Sequence, residues 1–335
     1  MSPAPGFSVV IPTRNRLQML QRALRSVQSQ SDQDFEIVVV DDGSADGTPD
    51  WLRLAQGERL HFLRHEIGGG ASRARNRGVA QARGRYILFL DDDDELLPDA
   101  IRALRERLGA PPQVDFLWGA RMVCEIDREG EALSTREDDW SGLPFPISGT
   151  AFLPLTIEIA TSAAFTIRRS LFLELGGFDE SLTVSEDRDL FIRLAKGGYL
   201  GAAVPQTIVK VHEIPLSLSR NPRSVAGPRF DLQLLERYRD YIGRPENRSF
   251  EVAYLRAIYA GFLRGGDREA ASNVLATLRS YGAADGRVLR LYVRHAPEFR
   301  KLKSLLHYDG MRLLANRLAR RLRGGWRGKG QQRCG

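Results

Sequence analysis

Two groups of acidic residues in this 335-residue chain directly follow apolar runs, and carboxylates in such positions can bind a cation or accept protons. Asp41 and Asp42 follow FEIVVV, and four aspartates, Asp91–Asp94, follow YILFL. An isolated buried carboxylate is costly and adjacent like charges repel, so these acids need bulk water or a cation. Mg²⁺ commonly takes one or two carboxylates together with substrate phosphates. The run at Asp91–Asp94 therefore predicts a divalent metal site, with solvated or helix-capping acids as the alternative.

Two further stretches have the residue types that bind a nucleotide. The sequence Asp41-Asp42-Gly43-Ser44 offers carboxylates to a nucleobase or a ribose, although Asp-Gly and Gly-Ser also favour a tight turn. The glycines at 68–70 precede Arg73 and Arg75 at the start of a predicted helix. Unpaired backbone N–H groups and guanidinium groups together suit a diphosphate. The alternative is an ordinary turn followed by solvated arginines.

A third acidic group and one histidine complete the candidates. Glu186 and Asp187 lie at the predicted start of a helix, where a carboxylate could act as a general base or could simply stabilise the helix N-terminus. His212 follows an apolar run in IVKVHEIP and could bind a metal or a phosphate, with a structural role as the alternative.

Alternating apolar strands and amphipathic helices must position these residues. Apolar runs predict strands at 7–11, 35–40, 61–64 and 86–90, with helices over 17–27, 48–55 and 72–82 between them. This alternation indicates a doubly wound α/β sheet. Ligands bind such sheets beyond the carboxyl ends of the strands, so both acidic groups should meet at one edge.

The rest of the chain is less regular at first and then helical. We predict a bent strand or hairpin at 116–126, a polar loop over 127–150, a strand at 163–169 and a helix at 169–175. The segment 221–228, rich in Pro and Gly, is the candidate linker. Beyond it, helical patterns continue at 230–242, 250–263, 267–280, 285–294 and 298–323.

Composition indicates a folded protein in a reducing compartment. Hydrophobic residues make up 42% and charged residues 27% of the chain, and the two cysteines are too few for a disulfide framework. Without an apolar run of about 18 residues, we expect a cytoplasmic protein. Residues 290–335 carry 13 Lys and Arg against two acids, so residues 1–289 account for −4 of the net charge of +7. This distribution argues against nucleic-acid binding by the main body but suits an anionic membrane.

Four stretches in succession resemble the signatures of glycosyltransferase family 2. They are FSVVIPTRNR, EIVVVDDGSADGT, ASRARNRGVAQARGRYILFLDDDDELLP, and LGGFDE followed by SEDRDLFIRL, and together they span about residues 7–215. The resemblance implies a GT-A type doubly wound mixed sheet with a Rossmann-like nucleotide-binding half. Together with the helical patterns beyond it, which lie outside the resemblance, this divides the chain into a catalytic domain at 1–220, a helical C-terminal region at 229–323 and a basic tail at 324–335.

The resemblance also implies a role for each candidate residue. Asp187, with Glu186 beside it, matches the catalytic base of the Glu-Asp motif. Asp93 and Asp91, with His212 as a further candidate, would hold Mg²⁺ or Mn²⁺; four successive aspartates leave the register of the Asp-X-Asp motif open by one residue. The residues expected to bind the nucleotide-sugar are Pro12, Thr13, Arg14, Asn15, Asp42, Gly43, Arg73, Arg75, Asn76, Asp91 and Asp92.

The resemblance therefore implies an inverting, metal-dependent glycosyltransferase of surface polysaccharide or glycoconjugate synthesis. The donor is a nucleoside-diphosphate sugar, with a UDP-sugar as first choice, and the acceptor a saccharide or lipid-linked saccharide. LLHYDGMRLLANRLARRLRGGWRG interleaves apolar residues with arginines and predicts a helix attached to the inner face of the cell membrane, or a packed helix with a solvated tail. The alternatives are a sugar-nucleotide nucleotidyltransferase, whose glycine-rich motif should follow the first strand, and a non-enzymatic polyanion-binding protein.

Overall fold

The computed structural model describes residues 4–126, 132–137, 140, 145–157, 159, 164–213 and 224–286. They cluster into two compact units. The first contains the described residues up to Gly149 and those from Ile159 to Glu213, and the second those of 150–158 and from Ser224 onward. The predicted boundaries of the catalytic domain, helical region and tail stay predictions.

The first half of the first unit alternates strands and helices as the apolar pattern predicts. All seven residues of FEIVVVD are buried, as expected of a parallel strand covered on both faces. The elements are β1 (Phe7–Thr13), α1 (Leu17–Gln28), β2 (Phe35–Asp41), α2 (Thr48–Ala55), β3 (Leu60–Arg64), α3 (Ala71–Gln81) and β4 (Tyr86–Phe89).

The second half of this unit differs from the sequence prediction in two places. The predicted loop at 127–150 contains a strand that pairs with the preceding one, so the stretch at 116–126 is the first arm of a hairpin. The run ending at His212 is a 13-residue strand, which also pairs with a two-residue strand after the four aspartates. The elements are β5 (Glu95–Leu96), α4 (Ala100–Gly109), β6 (Phe116–Ile126), β7 (Ala132–Glu137), β8 (Thr166–Arg168), α6 (Arg169–Glu174), α7 (Glu186–Gly197) and β9 (Gly201–Glu213), with α5 (Gly149–Phe152) at the boundary of the two units.

The described strands form one mixed sheet in the order β3-β2-β1-β4-β8-β6-β9-β5, with β7 paired to β6. Strands β3, β2, β1 and β4 are parallel, and β8 runs antiparallel to both β4 and β6. The predicted fold class, a doubly wound mixed sheet with a parallel nucleotide-binding half and a helical C-terminal region, is confirmed. The parallel strands point their carboxyl ends, and hence both acidic groups, to one edge.

The second unit is helical in its described part. Its helices are α8 (Ala226–Arg237), α9 (Arg239–Ile242), α10 (Arg248–Gly265) and α11 (Arg268–Ser280). Asp267 caps α11 by accepting a hydrogen bond from the Ala270 N–H at 3.1 Å. The last two predicted helices lie almost wholly outside the described residues, as does the basic tail. Among the described residues, no helix combines the length and apolar character needed to cross a bilayer.

A close contact fixes α3 against the parallel half of the sheet. A Cβ atom built on Gly78 would lie only 2.6 Å from Cγ1 of Val10 in β1 and 3.3 Å from Cγ2 of Val40 in β2. Only glycine lets the helix backbone come this close to the strands. Arg75 and Asn76, one turn earlier on α3, therefore start from a rigid position.

Glu36 is a buried carboxylate that joins β1, β2 and the segment before β4. Its side chain accepts hydrogen bonds from the Ser8 hydroxyl at 2.6 Å, the Arg83 backbone N–H at 2.6 Å and Arg83 Nε at 2.8 Å. Burial opposes ionisation of Glu36, but these hydrogen bonds outweigh it and lower the pKa of the carboxyl below its ordinary value. The charged form of Glu36 therefore stabilises the fold.

We expect Glu36→Gln to lower the free energy of unfolding by about 2 kcal/mol at neutral pH, because the amide cannot satisfy all three donors. Since the folded pKa lies below the unfolded one, this stabilisation is complete above about pH 5 and fades as the pH falls through the folded pKa. Urea unfolding of both proteins at pH 7 and pH 4 measures the difference. Asp50→Asn, in an exposed pair with Arg53, is the control and should change little. An equal loss at both pH values would contradict the assignment.

Candidate active site

The ends of three parallel strands are joined by hydrogen bonds between the residues that follow them. The Asp42 N–H donates to the Thr13 carbonyl at 2.8 Å, which links the ends of β1 and β2. The Thr13 hydroxyl donates to Asp92 Oδ2 at 2.7 Å, which links β1 to the aspartate run after β4. The two acidic groups therefore lie at the same edge of the sheet, as the sequence predicts.

Three carboxylates at this edge lie close enough together to hold one metal ion. Asp91, Asp93 and Asp94 each offer an oxygen, and these atoms all lie within 4.8 Å of one another. Asp94 was not among the ligands assigned from the sequence, although the register left open within Asp91–Asp94 allows it. The predicted ligand His212 does not belong to this group of described residues: its Nε2 contacts Glu95 Oε1 at 2.6 Å, and its backbone N–H donates to Asp94 at 3.2 Å.

The electrostatics of this group favour a cation. Burial, and then repulsion from Asp91 and Asp92, raises the pKa of Asp93 to about 6. Burial raises the pKa of Asp94 well above its ordinary value, again with a contribution from Asp91. Carboxylates that disfavour their own charge in this way gain when a divalent ion replaces their protons. Three clustered carboxylate oxygens are also the hard donors that Mg²⁺ and Mn²⁺ prefer, so these residues fit the predicted metal.

Two arginines that the sequence analysis did not select contact the aspartate run, one through its carboxylates and one through its backbone. Arg16 Nη1 lies 3.1 Å from Asp92 Oδ1 and 2.9 Å from Asp93 Oδ2. Arg22 Nη2 donates to the Asp93 carbonyl at 2.8 Å. Arg16 closes the PTRNR stretch, so its position after β1 was a usable signal. The contact of Arg22 depends on how α1 packs beside the aspartate run.

Asp42 is bound by its own neighbours. Its carboxylate contacts His65 Nδ1 at 2.7 Å and accepts hydrogen bonds from the backbone N–H groups of Gly69, at 2.9 and 3.0 Å, and Gly70, at 2.7 Å. Burial opposes its charge, but the hydrogen bonds outweigh burial and lower the pKa of Asp42. The prediction that the glycine N–H groups are unpaired is therefore wrong for Gly69 and Gly70, because Asp42 folds back onto them.

The other residues predicted to bind the nucleotide-sugar border these loops. Asn15, which follows Pro12-Thr13-Arg14, donates its N–H to the Ser44 hydroxyl at 2.8 Å, and its Oδ1 accepts from the Ala45 N–H at 2.7 Å. Gly43 has a positive φ of 77°. Arg14 and Arg73 lie so close to Gly68 and Gly69 that a Cβ there would meet their side chains. Contacts of all these residues with a donor stay predictions.

Arg75 joins the metal-site acids to the start of α7. It is buried, and its Nη2 lies 2.5 Å from Asp91 Oδ1 while its Nη1 lies 3.1 Å from Glu186 Oε1. Burial, and then the charge of Asp187, raises the pKa of Glu186, which Arg75 opposes. The structure thus links Glu186 to the aspartate group through Arg75, and the neighbouring Asp187 lies close enough to interact electrostatically with both Arg75 and Glu186.

Asn76 and Arg193 hold the loop that leads into α7. The Asn76 amide makes hydrogen bonds of 2.9 Å with both the N–H and the carbonyl of Phe178. Arg193 donates to the carbonyls of Leu175 at 2.7 Å and Gly177 at 2.8 Å. The predicted donor contact of Asn76 stays a prediction, but the structure gives its amide a clear part in positioning this loop.

Comparison with known proteins identifies the family. The model described as glycosyl transferase family 2 matches residues 8–176. The chain is 28% identical over 188 residues to an uncharacterized glycosyltransferase of Haemophilus influenzae, covering 56% of this chain and 61% of that protein. It is 40% identical over 129 residues to the GalNAc(5)-diNAcBac-PP-undecaprenol beta-1,3-glucosyltransferase of Campylobacter jejuni, covering 38% of this chain and 40% of that enzyme. The chain therefore matches less than two thirds of the length of either relative.

Solved structures show the same fold. The crystal structure of S. aureus TarS 1–349 superposes with a TM-score of 0.55 at 17% identity, covering 96% of this chain and 93% of that one. The complex of the same fragment with UDP-GlcNAc gives a TM-score of 0.50 at 18% identity, covering 89% and 79% of the two chains. This likeness confirms the GT-A type fold. Since the family model covers half of the sequence, the chain belongs to glycosyltransferase family 2.

Proposed function

We propose that the protein is an inverting, metal-dependent glycosyltransferase that moves a sugar from a nucleoside-diphosphate sugar to an acceptor hydroxyl. The observation that carries the proposal is the grouping of Asp91, Asp93 and Asp94 at one strand end, joined through Arg75 to the acids of α7. Such a grouping supports a reaction centre that combines cation-binding oxygens with a candidate base. Membership of glycosyltransferase family 2 supports the reaction class.

The names of similar proteins support the choice of substrates. S. aureus TarS was solved with UDP-GlcNAc, and the name of the C. jejuni relative describes glucosyl transfer to a PP-undecaprenol-linked saccharide. We therefore propose a UDP-sugar as donor and a saccharide or lipid-linked saccharide as acceptor, in surface polysaccharide or glycoconjugate synthesis. Thr13, Arg14, Asp42 and Arg73 are the proposed donor-side residues around the loops at 42–45 and 67–70.

We assign the metal to Asp91, Asp93 and Asp94 rather than to His212. A bound Mg²⁺ or Mn²⁺ would neutralise the negative charge that develops on the departing nucleoside diphosphate. Arg16 holds Asp93, Arg75 holds Asp91 and the His212 backbone N–H holds Asp94, so the three carboxylates have partners in the protein before a cation arrives.

Asp187 is the proposed general base. An acceptor hydroxyl is a poor nucleophile at neutral pH, and a carboxylate within hydrogen-bond reach can take its proton as it attacks the anomeric carbon. Attack from the face opposite the leaving diphosphate inverts the anomeric configuration. Glu186 is the weaker candidate because its carboxylate is already bound by Arg75.

We expect the wild-type protein to release nucleoside diphosphate from one member of a panel of sugar nucleotides, in the presence of Mg²⁺ or Mn²⁺ and an acceptor.

Asp187→Asn should lower kcat by about 100- to 10,000-fold while donor affinity stays close to wild type, because the base acts on the acceptor. Asp50→Asn, on the exposed face of α2, is the matched control. A parallel loss of donor affinity and turnover would remove Asp187 as the base.

Asp93→Asn should weaken the binding of Mn²⁺ alone by about tenfold or more, because it removes one charged oxygen from the group. Calorimetric titration of the full chain with MnCl₂ measures this change without any donor. Asp99→Asn is the control, since that carboxylate lies outside the group and pairs with Arg102 at 3.1 Å. Equal Mn²⁺ affinity in wild type and Asp93→Asn would place the metal elsewhere.

We also propose that the basic C-terminal segment attaches the protein to the inner face of an anionic membrane. Full-length protein should float with vesicles containing phosphatidylglycerol and remain unbound with pure phosphatidylcholine. Changing Arg317, Arg320, Arg321 and Arg323 together to Gln should abolish flotation, since each basic residue near an anionic surface contributes about 1 kcal/mol. Unchanged flotation of this variant would refute the attachment.

A further inference from the structure

Arg75 is a buried cation whose charged atoms face the protein itself. Its side chain is only 6% exposed, and its Cζ lies 5.7 Å from the centre of the Phe178 ring. One Nη group binds Asp91 and the other binds Glu186. Its Nε is buried, with no hydrogen-bond partner among the described residues. Both Nη groups therefore contact the protein's own carboxylates, and Nε, which has no such partner in the described part of the chain, is shielded from solvent.

This geometry distinguishes two possible roles of Arg75, binding of a diphosphate and pairing with the protein's own carboxylates. An arginine that binds a diphosphate presents its planar fork to the ligand. The fork of Arg75 instead spans two carboxylates from different parts of the chain, one following β4 and one beginning α7. A phosphate that took over an Nη group would displace Asp91 or Glu186, and either displacement would leave a partly buried carboxylate without its cation.

We propose that Arg75 is a positioning residue that sets the distance between the metal-site carboxylate Asp91 and the base segment Glu186–Asp187. It acts through these acids and does not bind the donor. The inference rests on the proposed function for its kinetic consequence. Its structural consequence, the ordering of the start of α7, can be measured without any substrate.

The surrounding contacts show why this position is rigid. Gly78 seats α3 against β1 and β2, which fixes the backbone from which Arg75 projects. The Asn76 amide holds Phe178, the ring beneath the guanidinium. Ser185, just before α7, adopts a left-handed conformation with φ 66°, which a non-glycine residue keeps only when its neighbours hold it. Without Arg75, Asp91 and Glu186 would repel each other across the site.

Arg75→Met tests the inference in the full-length protein, with Arg77→Met as the control. Arg77 lies on the same helix but is exposed, and among the described residues it donates only to the Arg64 carbonyl. We expect Arg75→Met to lower kcat by about 100-fold, because a misplaced base loses its near-attack geometry. The donor KM and the Kd of UDP, both measured at saturating Mn²⁺, should change less than about threefold. A loss that falls on KM and UDP affinity, with kcat unchanged, would make Arg75 a donor ligand and overturn the inference.

Two measurements distinguish positioning from general damage. Hydrogen–deuterium exchange of the ligand-free variant should be faster in peptides covering 185–190, and unchanged in those covering β2. In Arg75→Ala, free guanidinium at non-denaturing concentration should restore kcat by about tenfold whereas urea should not, because only guanidinium can bridge both carboxylates. Unchanged exchange at 185–190 or equal rescue by urea would refute the inference.

A second variant and a measurement that needs no substrate keep the role of Arg75 testable. If Arg75→Met does not fold, Arg75→Met/Glu186→Gln removes one of the two carboxylates left without their cation, ends the repulsion between them, and makes the same exchange comparison possible. If wild-type protein releases no nucleoside diphosphate from any donor, the proposed function fails, while the exchange experiment still decides the role of Arg75.

Discussion

Repulsion among carboxylates is the constraint on which this structure depends. Four successive aspartates follow β4, and two more acids open α7 close to them. Without compensating cations, repulsion between these carboxylates would destabilise the close approach of their loops. Three arginines contact this acidic region: Arg16 after β1, Arg22 on α1 and Arg75 on α3. Arg16 and Arg75 pair with carboxylates, and Arg22 donates to the Asp93 carbonyl. Each comes from a helix or loop packed on the parallel half of the sheet, so that half determines where the acids lie.

The arginines neutralise only part of the carboxylate charge, which suits the binding of a cation. Arg16 and Arg75 hold the rim of the acidic group, yet Asp93 and Asp94 keep raised pKa values because they are buried beside other acids. A fully neutralised group would have no affinity for a further cation. An entirely uncompensated group would not stay folded. The observed arrangement lies between these limits: the carboxylate oxygens are held in place, and their negative charge is only partly neutralised.

Much of the fold could be predicted from the sequence, because long apolar runs report burial directly. The four parallel strands and the edge at which Asp42 and Asp93 meet follow from that signal. Strand β5 could not be found, since two residues have no periodicity and Glu95 and Leu96 are a strand only by pairing with β9. The roles of Asp94 and His212 were equally hidden. The packing of β9 beside the aspartate run decides which of the four aspartates face one another. The same packing brings His212 into contact with Glu95.

The glycine turn at 68–70 illustrates how a loop can be ordered in advance. Glycines are the most conformationally free residues of an unfolded chain, and fixing them costs about 1–2 kcal/mol of backbone entropy each. Asp42 and His65 hold this turn with the protein's own atoms, and Gly70 keeps a φ of 91° that other residues avoid. A molecule arriving at this edge therefore meets a surface that is already shaped. Its binding free energy is not spent on organising the loop, so more of it remains to discriminate one ligand from another.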